Sequence, residues 1–132
     1  VGAAMVRRPD RDMPRSVRAA LESLAADARW PGRDFHVVRD AAAGPGRWDF
    51  IGRRWRFTDL PAPALPGEIQ YDNAATALAA LEALAASRPG LLGALDAGTV
   101  AAALRDVRLP GRFQVVAGEP EWILDVAHNE PA

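Results

Sequence analysis

The chain contains no cysteine and no lysine. Without cysteine there is no disulfide framework, no thiolate nucleophile and no cysteine-ligated metal. All 16 basic residues are arginines. These residues therefore cannot assemble a complete Walker A loop, whose lysine reaches the β- and γ-phosphates, or support Schiff-base chemistry. Histidine is limited to His36 and His128, with no H-x-x-x-H pair, which argues against a zinc site. The serines are Ser16, Ser23 and Ser87, with no G-x-S-x-G, and no G-x-G-x-x-G loop stands between a strand and a helix. No apolar run approaches the ~20 residues of a membrane span, and the N-terminus has no signal-peptide pattern, so no membrane partner is expected. Net charge is −1, which argues against a non-specific grip on nucleic acid. Val1 is not an initiator methionine, so an excised piece of a longer cytoplasmic protein is the expectation.

What is present suits one domain: 132 residues, 49% hydrophobic and 25% charged. Much of the apolar fraction is alanine, so a core depends on the leucines, the valines, four Phe and four Trp. Val1–Val6 reads as a short buried strand and Arg7–Asp12 as a charged loop. Val17, Leu21, Leu24 and Ala28 recur at helical spacing, which predicts a helix over 14–29, with Asp12 as capping candidate and Trp30-Pro31-Gly32 as its end. Phe35–Arg39 is a predicted strand, followed by a flexible connection at 41–46. Arg47–Ile51 and Arg54–Thr58 form a predicted hairpin around Gly52-Arg53. Trp48, Phe50, Trp55 and Phe57 alternate with polar residues there, the pattern of a packed sheet face. Leu60–Gly67, with three prolines, reads as an extended connector. A helix is predicted over Ala74–Ser87, with Leu78, Leu81 and Ala85 on one stripe and Asp72 or Asn73 as N-cap. A second is predicted over Thr99–Val107, and there is no internal repeat.

Leu109–Ala132 carries the densest chemistry: a turn with Arg112, a short hairpin, then a strand ending in Asp125, His128 and Asn129. Trp122, Leu124 and Val126 alternate with Ile123, Asp125 and Ala127. Two apolar sets predict a strand buried on both faces, as in an α/β sheet. An Asp at the carboxyl end of such a strand lies where open α/β sheets bind ligands, and carboxylates there accept hydrogen bonds from ribose hydroxyls. His128, three residues on, could reach a phosphate or the same ribose. Equally, Asp125 could cap a following helix and His128 be a solvated turn residue. Arg112 follows Pro110-Gly111, a turn dipeptide, and its guanidinium suits a phosphate, or is a surface arginine. Asn73 is a cap or, with its amide free, a bidentate partner for an adenine edge.

LPGRFQVV followed by EWILDVAHN resembles the junction of central and C-terminal domains in folylpolyglutamate synthase/dihydrofolate synthase, of the Mur-ligase superfamily. LPGEIQYDNAATALAALEAL, and Gly32-Arg33-Asp34-Phe35 before a strand and hairpin, are similar to upstream segments of the same family, at fitting separation. Glu130 stands where the family usually has proline after A-H-N. The resemblance implies an α/β fold. Residues 1–108 would be the C-terminal part of a Mur-ligase-type central ATPase domain (a mixed sheet with helices and a β-hairpin). Residues 109–132 would be the first strands of a Rossmann-like C-terminal domain.

It also implies an ATP- and Mg2+-dependent parent ligase, a monomer, that joins L-glutamate to folate or dihydropteroate through an acyl phosphate. Asn73 would contact adenine, Arg112 the phosphates, and Asp125 and His128 the ribose and phosphate region. No catalytic residue or metal ligand is expected in the fragment, which should be inactive alone, because the P-loop and metal ligands lie upstream. A Mur-type peptidoglycan-precursor ligase fragment and a non-catalytic α/β binding or assembly module are the alternatives, and an open edge at residue 132 could drive association.

Overall fold

Alternating aromatics build the centre of the molecule. In the computed structural model, which describes residues 2–5, 13–39, 46–93 and 95–126, Trp48, Phe50 and Phe57 are buried. They lie on a three-stranded antiparallel sheet of β3 (His36–Val38), β4 (Trp48–Ile51) and β5 (Arg56–Leu60), in the order β3-β4-β5. Phe50 is opposite Phe57, with ring centroids 6.2 Å apart. The packed-face reading of these aromatics therefore holds, with Trp55 half-buried at the margin of the core.

Helix α2 (Ile69–Ser87) covers this sheet, burying Tyr71, Ala75, Leu78 and Ala79. Alanine at 75, 79 and 83 lets the helix approach closely, and the Tyr71 ring meets Trp48 edge-on at 5.8 Å. Leu78 lies on the buried stripe as expected, whereas Leu81 and Ala85 are only half-buried. Helix α3 (Ala97–Asp106) lies against β5 and contributes Val100 to the core. Its N-cap is Asp96, whose Oδ1 accepts from the Thr99 N–H at 2.7 Å. The proline-rich connector joins β5 to α2 with bends at residues 64 and 65, and is tied to α3 by the Ala64 N–H donating to the Leu104 carbonyl at 2.8 Å.

Three expectations fail. Helix α1 covers only Arg15–Ser23, and Pro14, with no side-chain cap bond, stands at its N-cap; the expected cap, Asp12, lies outside the described residues. Ala25 takes a left-handed φ of 47°, and the Ala25 and Ala26 N–H groups donate to the Glu22 and Leu21 carbonyls, a Schellman closure. The freed residues form β2 (Asp27–Arg29), which pairs in parallel with β1 (Ala3–Met5). Helix α2 begins five residues before the expected start, so neither Asp72 nor Asn73 caps it; Glu68 occupies the N-cap.

The strand expected to be buried on both faces is β7 (Trp122–Leu124), which pairs only with β6 (Gln114–Val116). Every residue of both strands is exposed, because no helix or further strand covers either face among the described residues.

Candidate functional site

A cleft of about 1010 Å3 opens between the proline connector, α2, α3 and the segment around β6 and β7. Leu65, Leu81, Leu104, Val107 and Phe113 supply much of its apolar lining. The polar side chains on it are Gln70, Asn73, Thr99, Arg112 and Asp125. An apolar hollow with a few convergent polar groups is the usual form of a small-molecule site.

Local structure explains how each group gets there. Gly111 takes a left-handed φ of 70° and the Arg112 N–H donates to the Leu109 carbonyl at 3.2 Å, closing the turn that turns Arg112 toward the cleft. The Gly111 carbonyl accepts from the Val126 N–H at 2.8 Å, which holds the residue after Asp125 beside that turn. Asn73 lies one turn into α2, and Gln70 precedes it by three residues on the same helix face. The Asn73 Nδ2 donates to the Gln70 Oε1 at 3.0 Å.

Three of the four residues singled out from the sequence, Asn73, Arg112 and Asp125, thus share one cavity wall system although 52 residues separate the first from the last. The fourth, His128, lies outside the described residues. Gln70 and Thr99 were missed; the only signal for Gln70 was its i, i+3 spacing from Asn73. Among the described residues no group of three or more His, Asp or Glu is placed to hold a metal ion.

A second polar cluster lies where α2 meets β2 and the β4–β5 hairpin tip. Glu82 is 2% exposed and accepts four hydrogen bonds. Its donors are the Arg29 guanidinium at 3.0 Å and the backbone N–H groups of Arg53, Arg54 and Trp55 at 3.2, 2.6 and 2.5 Å. Arg53 in turn bridges Asp27 and Asp34, each at 2.9 Å. Burial by itself would raise the Asp27 carboxyl, but the hydrogen bonds and charges of Arg53 and Arg29 hold it below its ordinary value. Burial likewise acts to raise Asp34, and the Trp30 N–H, Arg53 and Arg33 outweigh it and lower that carboxyl. These groups fasten the hairpin tip, β2 and α2 together.

No family model matches the chain. The dihydrofolate synthase/folylpolyglutamate synthase of Escherichia coli (strain K12) is 38% identical to it over 91 residues, 64% of this chain and 18% of that protein. Among solved structures, E. coli FolC in complex with DHPP and ADP superposes with a TM-score of 0.71 at 31% identity, over 96% of this chain and 27% of its own. A bifunctional folylpolyglutamate synthase/dihydrofolate synthase with Mn, AMPPNP and L-glutamate bound superposes with a TM-score of 0.70 at 33% identity and the same coverage. The chain thus spans between a fifth and a third of the length of these solved relatives.

Proposed function

We propose that this chain, whose homologues and structural neighbours over most of its length are folylpolyglutamate/dihydrofolate synthases, is a segment of an ATP-dependent ligase that joins L-glutamate to a folate or to dihydropteroate. In that reaction an acceptor carboxylate oxygen attacks the γ-phosphorus of ATP and ADP leaves. The glutamate amine then attacks the acyl phosphate carbon and phosphate leaves. This chain contributes a wall of the nucleotide site rather than the reacting groups. Residues 1–108 are the end of the central ATPase domain, and 109–132 the start of the next.

The observation that supports this reading is the meeting of Asn73, Arg112 and Asp125 on one largely apolar cleft. An apolar hollow suits a base, an amide suits its edge, a carboxylate suits ribose hydroxyls and a guanidinium suits phosphate oxygens. For His128 the proposed role, toward the ribose and phosphates, rests on the resemblance of the EWILDVAHN stretch alone. Divalent metal, present as Mn in one relative's structure, is Mg2+ in the proposed parent reaction and is held by other residues of the parent protein; no described residue here is assigned to it.

Titrating the chain with Mg-ATP, and assaying ADP release with a folate and glutamate, tests the reading. The expected result is weak nucleotide binding without turnover. Arg112→Ala should weaken ATP binding about tenfold and adenosine binding little, since a charge-assisted hydrogen bond to phosphate is worth about 1.5–3 kcal/mol. Robust turnover by the chain would overturn the fragment reading. ATP binding untouched by both Arg112→Ala and Asp125→Asn would overturn the site assignment.

A further inference from the structure

The tip of the β4–β5 hairpin closes around a carboxylate. Each oxygen of Glu82 has two donors. Oε1 accepts from the Arg54 and Trp55 N–H groups at 2.6 and 2.5 Å. Oε2 accepts from the Arg53 N–H at 3.2 Å and the Arg29 guanidinium at 3.0 Å. Among the described residues no other acceptor takes these three N–H groups. Gly52 leaves the space this approach needs, since a Cβ there would lie 2.7 Å from Oε1. Successive backbone N–H groups that converge at a turn form a concavity for an anion. The walls of this one are fastened by bonds that do not involve Glu82. The Gly52 N–H donates to the Trp55 carbonyl at 2.8 Å and closes the turn. Asp27 holds Arg29 at 3.3 Å, and Asp27 and Asp34 hold the Arg53 side chain at 2.9 Å each.

We propose that the hairpin tip is a carboxylate receptor in its own right, with Glu82 as its tethered ligand, and that shortening residue 82 turns it into a binding site for a small free carboxylate. The inference stands apart from the nucleotide cleft and does not depend on it. Four donors shared equally between two oxygens suit a planar anion with two acceptor atoms. Chloride offers a single atom and cannot meet both pairs. Acetamide has the shape of acetate, but its NH2 would face two donors. The length of the tether sets which carboxylate fits. Glu82→Ala removes the γ-methylene and the carboxylate, which together have the size of acetate. Glu82→Gly removes one carbon more, and the hollow then has the size of propionate. In the wild type the tether keeps the carboxylate at a high effective concentration, so a free one does not displace it.

Urea unfolding followed by helical circular dichroism tests this on the 132-residue chain and on Glu82→Ala, Glu82→Gly and Glu82→Gln. Each is measured near neutral pH, where the acids are ionised, with sodium acetate, propionate or chloride at one ionic strength, and with acetamide. Each effect is taken relative to the same additive on the wild type. A ligand that binds only the folded state raises the ratio of folded to unfolded chain in proportion to its saturation of the site. In Glu82→Ala, about 200 mM acetate should raise that ratio about fivefold, while chloride and acetamide leave it unchanged. In Glu82→Gly, propionate should act more strongly than acetate, and in Glu82→Ala the order should reverse. Glu82→Gln, whose side chain still fills the hollow, should respond as the wild type does. In NMR spectra of Glu82→Ala, the amide signals of Arg53, Arg54 and Trp55 should shift saturably with acetate and not with chloride. Where a variant is unfolded in buffer, acetate should restore its helical signal, and sucrose, which favours the compact state, provides folded chain for the amide measurement. Chloride or acetamide acting on Glu82→Ala as strongly as acetate would overturn the receptor, and so would unmoved amide signals. An acetate effect without the exchange of preference between Glu82→Ala and Glu82→Gly would place the bound carboxylate elsewhere and overturn it too.

Discussion

Glu82 shows how much a single side chain can hold together. It stands in an alanine-rich helix with its carboxylate buried, accepting from Arg29 and from three successive backbone N–H groups at the hairpin tip. The hairpin turn thereby gains the partners its own strands cannot supply, since those amides point away from the ladder. Glu82→Ala removes the acceptor from all four donors at once and leaves the buried Arg29 guanidinium with Asp27, at 3.3 Å, in place of its closer and fully buried partner. A loss of about 3–5 kcal/mol is expected in urea unfolding. Glu82→Gln keeps an acceptor oxygen and should lose less. Around the same point Arg53 holds Asp27 and Asp34 below their ordinary carboxyl value of 3.8. A carboxyl lowered in the folded state stabilises above its unfolded value, and that contribution disappears as pH falls through the folded value. Stability should therefore decline as pH drops through the region below about 4. Arg53→Ala should flatten that decline by returning both carboxyls toward 3.8, and urea midpoints measured between pH 2 and pH 6 would check it. A slope unchanged in Arg53→Ala would assign the acid sensitivity elsewhere.

At the scale of elements, what could be read from the sequence divides along physical lines. The β4–β5 hairpin was legible because alternating Trp48, Phe50 and Phe57 can bury a common face only as strands. The end of α1 was not. Left-handed helix termini are normally signalled by glycine, and here Ala25 takes that conformation, so the apolar spacing carried the prediction on through what is β2. The cost of a left-handed alanine is recoverable. Ala25→Gly should raise stability by about 0.5–1 kcal/mol, read as a shift in thermal midpoint, because it relieves the Cβ clash at φ 47°. The start of α2 was misplaced for a related reason, since Asp72-Asn73 has the composition of a cap while the helix enters earlier through Gly67 and Glu68. Of the candidate site, Asn73, Arg112 and Asp125 stood out as polar groups at turns and element ends. Gln70 did not, because a glutamine in a first helical turn carries no pattern of its own. Glu82 was hidden because its partners lie 27 to 53 residues away.

For the molecule as a whole, β7 is the strand whose alternating apolar residues were read as doubly buried, and it is instead exposed along with its partner β6. Alternation specifies which side chains share a face but says nothing of what covers that face. Val115, Val116, Trp122, Ile123 and Leu124 stand open on strands that carry no charged residue. Such strands pair readily with neighbours, and a lysine on them is the usual remedy. Ile123→Lys should therefore reduce concentration-dependent light scattering of the chain and shift its stability by no more than about 0.5 kcal/mol. Scattering unaltered by Ile123→Lys would show that the hairpin is not the sticky surface. The same exposure has an optical consequence. Trp30 and Trp48 are buried, while Trp122 is 60% exposed, so the indole emission of this protein should contain a red-shifted component that acrylamide quenches first. Anything that comes to rest on the hairpin would shield that component and leave the blue-shifted emission of the core tryptophans as it was, which makes Trp122 an intrinsic gauge of when that surface is covered.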